Sequence, residues 1–323
     1  MAITTQLDLE TTQPAIRAVG LWRLALRKLV RKRLAMVALA VIVVIYGCGI
    51  FADVIAPYDQ KAVNLSLEET TQGPTWDHPF GTDRLGRDRL TQSFFAARTT
   101  VIVTLATLIT GGGFIGITLG MLAGYRRGWV DSVIMRTGEV FFALPGLLMV
   151  ILISATLRPR YDQLVLDFSE WSGIDWIRDT GFSDMVLIFS ILSLFFWVGS
   201  ARLIRSQVLA LRETDYVLAA QAMGASTRRI IWSHIFPNIL PIVVVGFSAS
   251  LGAVASTEIA LSWLGLGVKE ASFGKMIFEG GSIRTLQAYP HLLLIPGAIV
   301  AALIFSFNLL GDALNDVLSP RGR

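Results

Sequence analysis

Charge is scarce in this sequence: Asp, Glu, Lys and Arg make up 16% of its 323 residues, where a soluble domain carries about 25%. So few ionic groups cannot cover a globule of this size. The 53% of hydrophobic residues, with a mean hydropathy of +0.60, exceed what one soluble core needs to bury. Cysteine is nearly absent. Cys48 alone permits neither an intramolecular disulfide nor a thiolate metal cage, and inside an apolar run it reads as a small packing residue. The histidines, His78, His234 and His291, are widely separated, and no His-Glu-x-x-His or Ser-His arrangement accompanies them. The sequence therefore offers no catalytic residues, no metal site and no sign of a membrane-embedded enzyme. A Gly-x-x-x-x-Gly-Lys-Ser/Thr phosphate loop is missing too. Gly274-Lys275 runs into Met276 and lacks the upstream glycine, which leaves any nucleotide hydrolysis to another chain.

Long apolar runs are what the sequence has in abundance. They lie at 34–56, 100–124, 132–157, 185–201, 238–264 and 290–314, each long enough to cross roughly 30 Å of hydrocarbon as a helix. The expected fold is all-α: a polytopic membrane protein with six transmembrane helices and both termini on one side. The first run lacks a small-residue cleavage site, so it is expected to stay in the mature protein. Orientation follows from the basic clusters Arg27, Lys28, Arg31, Lys32, Arg33 and Arg202, Arg205, Arg212, Arg228, Arg229, which favour the cytoplasmic face and put both termini there. The pI of 9.4 is then a consequence of topology and requires no nucleic-acid partner. The chain divides into a cytoplasmic tail with an amphipathic helix (1–33), a first transmembrane helix (34–56), an outside loop (57–98), a five-helix core (99–314) and a cytoplasmic tail (315–323).

Residues 16–33 read as a basic amphipathic helix suited to membrane lipid at the anionic leaflet. In the first outside loop, Gly81-Thr82-Asp83 and Gly86-Arg87-Asp88 read as a turn, a cap and a short interfacial helix, with Asp83 and Asp88 placed to pair with arginines. A second outside loop, 158–184, mixes acids with Phe168, Trp171, Trp176 and Phe182, a pattern for a helix at the membrane interface. Gly112, Gly116, Gly120 and Gly124 repeat every fourth residue and make a ridge for close helix packing, with Gly116 also a candidate gating hinge. Pro145 interrupts the third span and predicts a kink. Arg136 and Glu139 are spaced for a helix-surface ion pair. Glu258, near the outer end of the fifth span, is an intramembrane carboxylate that either lines a pathway or bonds neighbouring helices.

The cytoplasmic segment 202–237 is too polar to cross and too patterned for a linker. Thr214 or Asp215 can cap a short helix from Tyr216 through Met223, and Gly224 supplies the left-handed residue that ends it. Tyr216, Ala219, Ala220 and Met223 fall on one face, two larger side chains flanking an alanine saddle that another protein can approach. Ser226 can cap a second helix through Arg228, Arg229 and His234 to Pro237, with His234 in a hydrogen-bonding role. A short helix displayed between two spans suits docking in a groove of a cytoplasmic partner.

These residues carry a resemblance. Tyr216 through Ser226 with His234-Ile235-Phe236-Pro237-Asn238 resembles the ATPase-docking loop of the permeases of dipeptide and oligopeptide ABC importers, a family with related nickel and glutathione systems. His78 through Asp83 with Gly86-Arg87-Asp88, Gly128 through Asp131 with Met135-Arg136, Glu258 with Leu261 through Gly267, and Asn308 through Asp312 agree in the same order. The likeness covers nearly all of 34–323 and implies a type I ABC importer permease fold. It also implies a non-catalytic chain that binds no cofactor itself, with ATP and Mg on partner ATPases. The implied partners are a second homologous permease, two cytoplasmic ATPase domains and an extracytoplasmic solute-binding protein. By the same likeness Asp215, Tyr216, Ala219, Ala220, Met223, Gly224, Ala225, His234 and Pro237 form the docking site, while Glu258, Pro145 and Gly116 are candidates for translocation or gating on the residue readings given above. Two features depart from the family: Leu218 stands where a Glu is usual, and 158–184 is longer. The alternative is an ion-gradient-driven transporter or channel, which predicts mid-span charges or inverted repeats with broken helices.

Overall fold

The computed structural model describes residues 21–64, 66, 70–143, 145–174, 176–268 and 270–318. The N-terminal tail expected at 1–15, the start of the 16–33 helix and the end of the 315–323 tail lie outside the described residues. Within the described residues the regular structure is helical, apart from one isolated bridge between Thr82 and Asp88. The main helices are α1 (Leu21–Arg31), α2 (Arg33–Ile50), α3 (Arg89–Arg126), α4 (Gly128–Ala143), α5 (Gly146–Ser172), α6 (Phe182–Leu211), α7 (Asp215–Ala222), α8 (Thr227–Trp263), α9 (Phe273–Gly280), α10 (Ile283–Ala288) and α11 (His291–Leu318). Helices α2, α3, α6, α8 and α11 are each long and apolar enough to span, and α4 with α5, meeting at 87° at the break before Gly146, brings the number to six when the bent pair is counted as one span. The kink expected at Pro145 is thus a full break, with the Pro145 carbonyl opening α5 by accepting from Met149 N at 3.1 Å.

The helices outrun their apolar runs, because polar residues end contact with lipid without ending the backbone ladder. Helix α3 starts at Arg89, inside the expected loop, because the Asp88 carboxylate accepts from Thr91 N at 2.7 Å and caps it. The helix expected within 158–184 is continuous with the third span: α5 runs through Pro159 to Ser172 and stops at Gly173, whose φ of +69° only glycine adopts without strain, and a short connection leads on to α6. Arg158 fixes this arm, donating to the Leu266 and Gly267 carbonyls at 2.9 and 2.7 Å and pairing with Asp184 at 2.9 Å. Nor does the second cytoplasmic helix end at Pro237. A π-helical turn at Ile230–Ile235 loosens the ladder just ahead of the proline, and α8 continues to Trp263.

The glycine ridge lies along α6. A Cβ at Gly116 would sit 2.7 Å from Ser200 Cβ, one at Gly120 2.7 Å from the Ala201 carbonyl, and one at Gly124 2.8 Å from Val208 Cβ. Side chains larger than hydrogen would push the two helices apart. Lys32 pairs with Asp316 at 2.7 Å, so α1 and the end of α11 lie at the same end of the bundle. The Arg136–Glu139 pair does not form. Both side chains are exposed, and α4 is tied instead by a bidentate contact from Arg205 to Asp131 at 2.5 and 2.6 Å.

Candidate functional site

Helix α7 forms from short-range signals, though not all those expected. Thr214 occupies the N-cap position, yet neither it nor Asp215 caps with its side chain, because the Thr214 hydroxyl donates back to the Leu211 carbonyl at 2.6 Å. The C-terminus behaves as expected. Gly224 has φ +79°, its N–H bonds the Gln221 carbonyl at 2.9 Å, and Ala225 N–H bonds the Ala220 carbonyl at 3.0 Å. Those two bonds are a Schellman motif, satisfying the carbonyls that a helix end leaves open.

Tertiary packing decides which face α7 presents. Val217 is buried in a cluster with Met121 of α3, Ile204 and Val208 of α6, and Ile230, Ile235 and Ile239 of α8, and Ala220, one turn further along α7, is buried as well. Ala220 therefore does not belong to the presented face, a correction to the alanine saddle. The outward face is Asp215, Tyr216, Leu218, Ala219, Ala222 and Met223, with Tyr216 43%, Leu218 48% and Met223 82% exposed. Leu218 was noted from sequence only as a departure from the family's Glu, and Ala222 was not singled out, although their spacing from Asp215 would have placed both on this face. Ala225 and His234 are half-buried, while Gly224 and Pro237 are exposed. His234 contributes its carbonyl, which accepts from Asn238 Nδ2 at 2.6 Å. Ser226 caps α8 as expected, accepting from Arg229 N at 3.4 Å.

The other candidates lie elsewhere in the bundle. Glu258 is fully buried on α8, its two oxygens accepting from Thr100 Oγ1 and Ser262 Oγ, both at 2.9 Å. It therefore ties α8 to α3. Gly116 is a contact of the ridge with Trp197 and Ser200, and Pro145 is the break between α4 and α5. None of the three touches α7.

On the opposite end of the bundle, residues 81–89 form a compact turn. Gly81 and Gly86 take φ of +74° and +69°, and the buried Asp83 accepts from Leu85 N, Arg87 N and Arg87 Nε at 2.8, 2.9 and 2.7 Å. Burial opposes ionisation of Asp83, but the Arg87 amide and guanidinium and the Leu85 amide outweigh it and hold the carboxyl below the usual carboxylate range. Asp88 pairs with His78 at 3.0 Å and not with an arginine, and the expected interfacial helix is the first turn of α3. The buried Arg89 meets Glu279 of α9 at 3.2 Å.

Residues 116–323 match the family described as binding-protein-dependent transport system inner membrane component, and residues 20–74 match the N-terminal TM domain of oligopeptide transport permease C. The chain is 34% identical over 309 residues to the oligopeptide transport system permease protein OppC of Bacillus subtilis (strain 168), covering 95% of this chain and 92% of that protein. It is 33% identical over 302 residues to the dipeptide transport system permease protein DppC of the same organism, covering 93% and 85%. Identity to the glutathione transport system permease protein GsiD of Pectobacterium atrosepticum is 31% over 315 residues, covering 96% and 95%.

Proposed function

Because the chain belongs to the family of binding-protein-dependent transport system inner membrane components, we propose that it is the permease subunit of an ABC importer for di- or oligopeptides or a related small solute, with α7 as the docking helix for a separate ATPase. The observation that carries this reading is the two-faced α7: Val217 anchors it in a cluster with three spanning helices and Ala220 is buried on the same side, while Tyr216, Leu218, Ala219 and Met223 are left uncovered. A helix held rigidly on one side and bare on the other can be pushed and pass the push on.

In this reading the chain is a non-catalytic, multi-pass subunit of the cell membrane with both termini cytoplasmic, the side that carries α7. Its partners are a second, homologous permease, two cytoplasmic ATPase domains that hold ATP and Mg, and an extracytoplasmic solute-binding protein. Closure of the ATPases displaces α7 and rocks the bundle outward-open to receive the delivered solute. Glu258 acts as an interhelical tie, since both its oxygens are engaged by neighbouring hydroxyls.

Met223→Asp and Ala219→Trp test the docking face. Burying a methionine side chain contributes about 1.5–3 kcal/mol, so Met223→Asp should weaken ATPase retention about 10- to 100-fold on co-purification. Transport-coupled ATP hydrolysis should fall with it. Retention and hydrolysis at the parent level in both variants would refute the docking assignment.

A further inference from the structure

The elbow at Arg127 where α3 meets α4, taken with the flanking helix ends as residues 125–131, is gripped from the α7 side at three points. Arg205 of α6 reaches Asp131 with two parallel bonds of 2.5 and 2.6 Å. Two helical turns further on, Arg212 donates to the Tyr125 carbonyl at 2.6 Å and lies 5.5 Å from the centre of the Tyr125 ring. Glu213, which with Thr214 leads directly into α7, pairs with Arg127. A planar guanidinium held by both carboxylate oxygens fixes orientation as well as distance, so the Arg205–Asp131 contact resists rotation of α4 against α6.

The elbow itself is under strain. Arg127 has φ 56° and ψ −165°, a backbone region that residues with a side chain avoid, and Gly128 follows with φ 62°. Such a conformation persists only where its surroundings impose it, and here the Glu213 and Arg205 contacts bracket it. Beyond the elbow α4 is thinly held. Ile134, Met135 and Phe141 pack on Trp197 and Val198, with Gly138 against Val198, while most of the remaining surface of α4 is exposed. At its far end the chain breaks at Pro145 and turns by 87° into α5. Helix α4 is therefore a lever with a gripped end and a broken end.

We propose that the 125–131 elbow is a second transmission contact, through which Arg205, Arg212 and Glu213 deliver movement of α7 to α4 and so to the third span. This rests on the reading of α7 as a docking helix. It adds a route that runs beside the direct packing of α7 on α3, α6 and α8, and it makes Arg205, Asp131, Arg127 and Glu213 positioning residues for coupling. The Arg127–Glu213 pair is largely exposed and adds little to stability. Its loss should be felt in coupling and not in folding.

The experiment uses the whole transporter, both permeases and both ATPases, reconstituted with Cys48 replaced by Ala. Spin labels are placed at the exposed Ser132 of α4 or the exposed Thr227 beside α7, each against a label on the exposed Val30 of α1. Distances are compared without nucleotide and with a non-hydrolysable ATP analogue plus Mg. In the parent both labels should shift. In the Asp131→Asn, Glu213→Gln double variant the Thr227 label should still shift, the Ser132 shift should be lost, and coupled ATP hydrolysis should fall about 2- to 30-fold, the range of coupling changes along such networks. The Asp131→Arg, Arg205→Asp swap should recover hydrolysis relative to Asp131→Arg alone. If the Ser132 label moves in the double variant as in the parent, the elbow is not a transmission contact, although docking stands. If the Thr227 label does not move in the parent, the docking reading and this inference fall together.

Discussion

The glycine ridge allows a magnitude to be worked out. A Cβ added at Gly120 would stand 2.7 Å from the Ala201 carbonyl oxygen, 2.9 Å from Ile204 Cβ and 3.0 Å from Ala201 Cα, where ordinary contact begins at 3.4 Å. Two of the three obstacles are backbone and cannot rotate away, so in Gly120→Ala the helices α3 and α6 must part by roughly 0.7 Å. Over a gap of that size the neighbouring contacts at Gly116 and Gly124 lose about a quarter to a half of their dispersion energy. Helix propensity works in the other direction, favouring alanine by about 1 kcal/mol. Overpacking costs about 1–3 kcal/mol, and with two backbone obstacles the upper part of that range applies, leaving Gly120→Ala less stable by up to about 2 kcal/mol. Gly199→Ala on α6 is the control, because nothing lies within 4 Å of its Cβ and only the propensity gain remains. Thermal inactivation of the detergent-solubilised protein, followed by tryptophan fluorescence, should rank Gly199→Ala at or above the parent and Gly120→Ala clearly below. Equal half-lives for the two variants would refute the ridge as a close-packed seam. The same assay should also rank Gly116→Ala, whose added Cβ would stand 2.7 Å from Ser200 Cβ and 3.0 Å from the Trp197 carbonyl oxygen, below the parent.

Further outcomes follow from the buried polar contacts. Asp83 has a depressed pKa when folded, so its contribution is present above the ordinary value of 3.8 and is lost as pH falls through the folded value. Asp83→Asn should therefore flatten the acid limb of a plot of melting temperature against pH below about 4, and an unchanged limb would refute the Arg87 pairing as its source. Glu258→Leu strands the Thr100 and Ser262 hydroxyls at about 1–3 kcal/mol each, whereas Glu258→Gln keeps an acceptor and should be milder in the same melting assay. Arg158→Leu removes the cation facing the buried Asp184 and the donor to the Leu266 and Gly267 carbonyls. It should cost about 3 kcal/mol by the precedent of broken buried pairs, and exchange of amides in α5 beyond Pro159 should speed up.

Much of this molecule could be read from short stretches of chain. Apolar length gives the spans, because hydrocarbon thickness and helix rise are fixed quantities. Gly224 ends α7 because a left-handed residue is a local requirement, and the four-residue glycine spacing announces a close helix contact without saying with which helix. The proline break was visible as well, but its 87° was not. A helix within 158–184 was legible, but not its continuity with the third span, because polarity reports where a segment meets water and says nothing of whether its backbone ladder continues; α5 runs on to Ser172.

What only the tertiary structure decided is which side of each element faces a neighbour. Ala219 and Ala220 are equivalent to any local rule, yet one is exposed and the other buried, because Ile230 and Ile235 of α8 and Val208 of α6 gather with Val217 on that side. Arg136 and Glu139 are spaced for a pair on α4 that does not form, and the contact that ties α4 joins Asp131 to Arg205, 74 residues away. The sequence by itself determined a helical membrane protein with long apolar spans, a close-packed glycine seam and a short helix ended at Gly224, since apolar length, glycine spacing and left-handed residues act within a few positions of where they stand. The grip on the elbow and the true face of α7 came from the packed bundle alone, because a contact between distant residues exists only once the helices between them have been placed.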